Sequence, residues 1–544
     1  MKRFIITLLS LIMAMPMLMA QSKNPAEARR EALLEYQARR RQAMQEYQEN
    51  YRKAAAEYMR KRWEAFNVQS PDAMPERKEP IAPVVKQPTS VTPPSERKMP
   101  TEEVVDMRKP TPTPTPSPTP AAPKPEVKPQ PQKPATPAKP APAAPAPEKR
   151  PTTPAKPAPE KKPAEPAKPT PAKPAEPTVS KPATDTSRPM KFNFYGTPCS
   201  VSLTSANAIR LTSTQEGAVA TAWEQITSGA FDKVVEECRQ IKEQLRLNDW
   251  GYYTLAQTIA DNFCGKSSNE SILLQSFLMS EGGYKMRLAR GDNRLCLLLA
   301  VEEKLFSRSY FNIDGDKFYL LDRTMKASSY NICNFAIPGE RRLSMVMHSL
   351  PNLDFHAGKA ITRKDNKTGI SVSVTPNANL TAYMNNYPPC SWEVYAATQL
   401  SERTAASLLP TLRSAIEGKS EQEAVGILLS LLHNAFPYKT DPQQFGSERT
   451  LFAEEMFAYM YSDCEDRSIL FVRLVKELLG LDCILLHYPE HIASAVKFTT
   501  ATSGDYIELG KSRYVVCDAT YIGAKVGESM PEYRNVSAKI IRID

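Results

Sequence analysis

The alternation of apolar and polar positions divides the chain into contrasting textures. Residues 25–66 contain no glycine and place apolar side chains at helical spacing. Glu35-Tyr36-Gln37, Glu46-Tyr47-Gln48 and Glu57-Tyr58-Met59 recur every 11 residues. Eleven residues make about three turns at 3.67 per turn, so the tyrosines should form one nearly straight stripe. Leu33, Met44, Tyr51 and Trp63 extend the apolar face. The pattern predicts a helix within residues 21–70 that packs on something: another part of the chain, or a second copy through self-association of residues 25–66.

Residues 71–190 break every period. About 36 of the 49 prolines lie there, a content that excludes a packed core. Thr111-Pro112-Thr113-Pro114-Thr115-Pro116 opens a run of Pro-Ala-Lys units such as Thr136-Pro137-Ala138-Lys139-Pro140. Such sequences favour polyproline II and leave the backbone to water. At about 3.1 Å per residue the segment would reach on the order of 370 Å when fully extended. A disordered tether is expected over its whole length, resembling the Pro-Lys spacers of periplasm-crossing proteins.

From Met190 regular periods return. Lys191 to Gly196 and Ser200 to Ser202 read as strands. Ala218 to Leu247 and Trp250 to Phe263 read as helices, and Ile272 to Met279 runs helically into Gly282-Gly283. Strands are predicted at Lys285 to Leu288, Leu295 to Val301 and Phe318 to Leu321, closing an α+β domain over 191–325. Residues 326–415 read as β-rich, with Leu343 to Met347 and Ile370 to Val374 alternating, before helix from Ser401 to Phe436. The last domain, 416–544, reads helix, strand, strand, strand: Ile469 to Leu479, Cys483 to His487, Ile492 to Phe498 and Arg513 to Asp518.

Charge follows the same division. The net +10 of the 544 residues belongs to the arm, where residues 21–190 carry roughly +11. That leaves residues 191–544 near −3 once the two positives of the leader are counted. Nucleic-acid binding is not expected, because no basic patch with interleaved aromatics occurs in the folded part. A basic arm suits anionic envelope polymers or membrane surfaces. Residues 1–20 have the form of a secretory signal: Lys2-Arg3, an apolar run from Phe4 to Met13, and small Ala20 before Gln21. Export to the periplasm or cell envelope, or secretion, is therefore expected.

The candidate chemistry lies in Ser462-Asp463-Cys464-Glu465-Asp466-Arg467-Ser468. Nine cysteines occur, none in the arm and no two at CxxC spacing, so zinc and thioredoxin-like readings fail and no metal or cofactor is expected. Most sit in apolar surroundings, whereas Cys464 has charged neighbours. It opens a predicted helix, where free N–H groups and the macrodipole favour a thiolate. Asp463, Glu465 and Asp466 oppose that charge, so an imidazole must supply the main stabilisation. His491 leads a predicted strand and is the better candidate; His487 is the competitor. Asp518 ends the next predicted strand and could hold the imidazole in one tautomer. The Cys464 backbone N–H, with Tyr459 or Tyr461, could face a developing oxyanion.

Cys at a helix start, His on the following strands and Asp on the one after resembles the transglutaminase-like (papain-related) superfamily. Asp518-Ala519-Thr520 looks like that family's Asp-x-Thr ending, and Phe436-Pro437-Tyr438 like its lead-in. The resemblance covers roughly residues 420–525. It implies a papain/transglutaminase-like core of a helix packed on an antiparallel sheet. It also implies Cys464 as nucleophile, His491 as base and Asp518 as third member, acting on a protein or peptide substrate. Acidic residues replace the family's small residue and Trp around the Cys, and Ala493 replaces the aromatic two after the His. The family includes peptidases, amidases and cross-linkers. A non-catalytic envelope scaffold is the competing expectation. Residues 264–324 echo the same order. Ser271-Ile272-Leu273 precedes Gly283 as Ser468-Ile469-Leu470 precedes Gly480, and Asp322 with Thr324 echoes Asp518 with Thr520. In that register Ser267 faces Cys464 and Arg294 faces His491. A degenerate first copy or a coincidence of patterning both fit.

Overall fold

The computed structural model describes residues 25–74, 84–86, 96–105, 189–322 and 324–543. The leader and most of the Pro-rich segment lie outside the described residues. The first helix, α1 (Pro25–Met59), starts on proline, whose missing N–H costs nothing at a helix start. It ends seven residues earlier than the sequence pattern suggests, because Glu64–Phe66 leaves it to form strand β1. Trp63 Nε1 donates to the Met59 carbonyl at 3.0 Å and closes the last turn.

Only the C-terminal end of the tyrosine stripe docks. Tyr36 and Tyr47 are exposed, whereas Tyr58 packs against Phe335, 5.6 Å between ring centres, beside the buried Ala55, Ala56, Met59 and Trp63. Arg52 adds ion pairs to Asp232 at 2.8 Å and Glu281 at 3.0 Å. The C-terminal part of α1 thus packs on its own chain.

A second correction concerns the tether. Thr101–Val105 is strand β2, and Met99 is buried. Residues 96–105 therefore belong to the folded body. Next, β3 (Met190–Phe194) and β4 (Thr197–Val201) form a hairpin. Its turn residues Tyr195 and Gly196 have φ of 43° and 81°, the positive values a tight two-residue turn needs.

The first α+β layer follows: α2 (Glu216–Ile226), α3 (Asp232–Gln244), α4 (Asp249–Cys264) and α5 (Asn269–Glu281). The single helix expected over 218–247 is split at Gly229, whose φ of 98° no helix allows. Then come β5 (Met286–Gly291), β6 (Arg294–Ala300), β7 (Tyr310–Ile313), β8 (Asp316–Leu320) and β9 (Tyr330–Cys333). With β1 they form one antiparallel sheet in the order β1-β9-β5-β6-β8-β7.

The stretch 326–415 is less β-rich than its alternation suggests. Apart from β9, it holds the hairpin β10 (Ile361–Lys364) and β11 (Ser371–Val374), then helices α6 (Ala378–Asn385), α7 (Trp392–Ala397) and α8 (Glu402–Ile416). Leu343 to Met347 makes only one bridge, Leu343 to Val301. Helix α9 (Glu421–Ala435) is separated from α8 by Gly418 at φ 70°. Its start is a capping box: Glu423 N–H donates to Ser420 Oγ, and Ser420 N–H to Glu423 Oε2 at 2.9 Å.

After the short α10 (Asp441–Phe445), α11 (Cys464–Leu479) precedes β12 (Asp482–Tyr488), β13 (His491–Lys497), β14 (Tyr506–Leu509), β15 (Ser512–Cys517) and β16 (Ala538–Arg542). The second sheet runs β2-β16-β12-β13-β15-β14. All its pairings are antiparallel except β2 with β16, which is parallel.

The two sheets therefore share one plan: a helix, then strands paired first-second-fourth-third, with a fifth strand beside the first. Side-chain direction agrees. Leu288, Leu295 and Leu299 face the central helical core from one sheet, as Leu485, Ile492 and Val496 do from the other. Ala289, Cys296 and Leu298 lie in a separate cluster on the far face. Leu486, Ala493 and Ala495 do the same in the second sheet. Each of these residues is 197 positions from its counterpart. Among the described residues no helix is long and apolar enough to cross a membrane.

Candidate active site

Cys464 is the first residue of α11, with Asp463 before it. The loop that delivers it is held by Arg363 of β10. This buried guanidinium donates to the carbonyls of Met456 at 2.8 Å, Tyr459 at 2.6 Å and Met460 at 2.9 Å. It also lies 4.4 Å from the centre of the Phe436 ring. Arg467, one turn into α11, donates to the Phe436 carbonyl. Tyr438 bridges Ser462 in parallel. The Phe436-Pro437-Tyr438 segment is thus fixed beside the residues that precede Cys464.

His491 opens β13, and Ser468 Oγ ties α11 to that strand by donating to the Ile492 carbonyl at 3.0 Å. Asp518 follows β15, and its Oδ2 meets His491 Nε2 at 2.9 Å. The other Asp518 oxygen accepts from the N–H groups of Thr520 at 2.8 Å and Tyr521 at 3.2 Å. Burial works to raise the Asp518 pKa, but the charge and hydrogen bond of His491 outweigh it and hold the carboxyl below its usual range. With Nε2 turned to Asp518, only Nδ1 of His491 is left for a thiol. His487, the competing histidine, packs its ring edge-on against Trp392, 4.6 Å between centres.

Tyr459 and Tyr461 behave differently from the expectation. The Tyr459 hydroxyl is committed to Asn385 Oδ1 at 2.9 Å. Tyr461 is 38% exposed, with Lys439 Nζ 5.1 Å from its ring centre. The tyrosine at the site is instead Tyr533. Its ring stacks on His491, 5.1 Å between centres at 15°. Burial first, and then the nearby Cys464 charge, raise its phenol pKa. His433 is a second unexpected member. It receives the Gly523 N–H on Nδ1 at 3.4 Å, so Nε2 donates to the Asp518 carbonyl at 2.9 Å. Neither had a local signal, since each arrives from a distant part of the chain.

The site is closed. Cys464 is 1% exposed, His491 5% and Asp518 2%. Acids crowd its other side. Asp441, Asp463 and Asp466 bring carboxylate oxygens within 4.8 Å of one another, and so do Asp441, Glu448 and Glu465. Asp463 is fully buried, with Glu465 within hydrogen-bond reach of its carboxyl. Burial, Asp466 and Glu465 push Asp441 up to about 10, and burial with Glu465, Asp466 and Asp441 pushes Asp463 well up. Held this way, the carboxyls share protons; an all-oxygen set of this kind also has the chemistry to hold a hard divalent cation. Cys464 Sγ lies 3.5 Å from Glu465 Oε2. No family model, curated protein or solved structure matches this chain.

Proposed function

We propose that this chain is an exported, transglutaminase-like cysteine enzyme that acts on amide or peptide carbonyls of protein or cell-envelope peptides. The observation that carries the reading is the His491–Asp518 pair at 2.9 Å, on the strand tied to the helix that Cys464 opens. In the reaction, Asp518 holds Nε2 and so orients the ring, leaving Nδ1 to take the thiol proton. The thiolate adds to the carbonyl carbon. The C–N bond breaks as the imidazolium returns the proton to the leaving amine. Water or a second amine then adds to the thioester, giving its proton to His491, and the Cys464 thiol leaves. The Cys464 N–H, at a helix start, is the expected oxyanion donor. Tyr533 lies over the imidazole, so its segment must shift before a substrate can reach the sulfur.

A second reading has its own support. The near-complete burial of Cys464 and the acids around it suit an envelope scaffold that binds without reacting. Thiol labelling of the full chain across pH separates the two. The enzyme reading expects Cys464 to react at pH values where a free thiol is mostly protonated, and His491→Ala to abolish that reactivity. Labelling that follows a free thiol and ignores His491→Ala would leave the scaffold. Trapping a thioester on a blocked glutamine peptide, read by mass spectrometry, tests the reaction itself.

A further inference from the structure

The first sheet keeps the frame of the site and changes its chemistry. Across the two-residue turns, Gly291 pairs with Arg294 as Tyr488 pairs with His491. On the outer pair, Leu320 opposes Leu298 as Val516 opposes Ala495. Counting on from those pairs makes Asp322 the counterpart of Asp518. The turn after it is the same: Thr324 N–H donates to Asp322 Oδ1 at 2.8 Å, and Thr520 N–H to Asp518 Oδ1 at 2.8 Å. Arg294 stands where His491 does and lies 3.8 Å from Asp322. Ser267, just ahead of α5, takes the place of Cys464, so no thiol is present for attack. A carboxylate and a base-position side chain persist around a site with no nucleophile.

What the first sheet has is room. A cavity of about 350 Å³ includes Ser267 and Asp322 in its wall, a volume at the small end for ligand pockets. Four amide side chains also line it: Gln257, Gln275, Asn385 and Asn386. Each amide offers donors and an acceptor, the pairing a peptide unit also offers. Gln275 is 1% exposed and its side-chain amide reaches the Tyr253 hydroxyl, so it is held in place at the wall. Trp250 and Tyr253, stacked at 5.0 Å, add a flat apolar surface. The charges cancel. Asp322 is paired with Arg294, and the wall's other acid and cation are Asp261 and Arg308. The cavity thus suits a neutral ligand.

We propose that this cavity binds an uncharged, extended stretch of peptide through its backbone amides and holds it without cutting it. The proposal rests on the enzyme reading only for the choice of peptide as the class; the cavity and its lining stand apart from Cys464. One link joins the two. Asn385, in the cavity wall, accepts the hydroxyl of Tyr459, which lies on the loop leading into Cys464. Filling the cavity would press on that loop.

The test uses the full chain carrying Cys464→Ala and a fluorescent acetyl-(Gln-Ala-Gln-Ala)-amide probe, followed by anisotropy and by tryptophan emission. Saturable binding is expected with Cys464→Ala. It should weaken at least five-fold in Gln257→Ala and vanish in Gln257→Trp, which fills the space from a half-buried helix position. Binding that persists in Gln257→Trp, or no saturable binding at all, overturns the proposal. So does binding of tri-N-acetylglucosamine in place of the peptide. Circular dichroism and melting of both Gln257 variants confirm the fold, and Ser267→Phe, at an exposed position of the wall, serves as the second blocking variant. Absence of a thioester in the wild type, with peptide binding intact, would end the enzyme reading and leave this one in place.

Discussion

The two sheets are built alike and differ where chemistry happens. In the first, Ser267 and Asp322 border an open polar cavity, and Arg294 pairs with Asp322. In the second, Cys464, His491 and Asp518 are buried, with Tyr533 stacked on the imidazole and buried acids nearby. The Asp-x-Thr turn is common to both, so it is a property of the frame and by itself says nothing about reaction. What separates the halves is the thiol at the helix start and the imidazole at the strand start. A carboxylate at this place holds whichever base-position side chain the strand presents.

The comparison is broken most directly by paired substitutions. Cys464→Ala should abolish thioester formation, since no sulfur remains to acylate, and His491→Ala should lower it about a thousandfold or more, whereas Ser267→Ala and Arg294→Ala should leave it unchanged. Single-turnover acylation of the full chain by a blocked glutamine peptide measures all four. Equal losses from both halves would show that the sites act together.

Arg363 has the next largest expected effect. It collects three carbonyls on the loop before Cys464, and truncation removes their donor, leaving the Met456 carbonyl unsatisfied in a buried setting. Arg363→Ala should cost about 3 kcal/mol of stability, read as a fall in the urea midpoint. Arg363→Lys should recover only part of it, since one ammonium cannot reach in the planar fork geometry.

The acids give a pH signature to the second half. Asp441 is held up to about 10 in the folded chain, against about 3.9 when unfolded. Between those values the unfolded chain binds fewer protons, so stability should fall as pH rises from about 5 to 9. Asp441→Asn should flatten the slope and raise stability near pH 8 by about 2 kcal/mol. Asp518 acts in the opposite sense. Its pKa is depressed, so its contribution is present above the unfolded value and is lost as pH falls through the folded one. A midpoint in urea that stays level across pH 5–9 would show that the acids do not share protons as described.

Much of this was legible before the fold. The helix from 464, the strand from 491 and the strand before Asp518 all follow local periods, because each buries one face on the same core. The echo of Gly283 and Asp322 was legible for the same reason. Other features depend on chain that returns from far away. Thr101 to Val105 is extended only because the β16 edge supplies partners, and nothing in a Pro-rich context announces that. Leu343 to Met347 alternates like a strand but finds a single bridge; alternation reports burial of one side, not the presence of a neighbour. Arg363 and Tyr533 reach the site from β10 and from the segment before β16, so no spacing near Cys464 could point to them. Helix α1 shows the converse. Its tyrosine repeat is regular, yet only Tyr58 of the three tyrosines packs on the core, where small Ala55 and Ala56 let the helix approach closely.

The smallest effect gives the finest test of likeness between the halves. Gly283 follows α5 with φ of 78°, and Gly480 follows α11 with φ of 67°. A methyl group added at either position would meet nothing within 4 Å. Substitution by alanine is then free of collision, and its cost is the left-handed backbone alone, about 1 kcal/mol. If both sheets hang from their helices in the same way, Gly283→Ala and Gly480→Ala should lower the urea midpoint by the same amount, and the double variant by the sum, because the two sites share no partner. Unequal costs would locate a difference in how the two helices hand over to their first strands. A loss well beyond 1 kcal/mol at Gly480 alone would mean that the turn behind Cys464 is strained in a way that its counterpart is not.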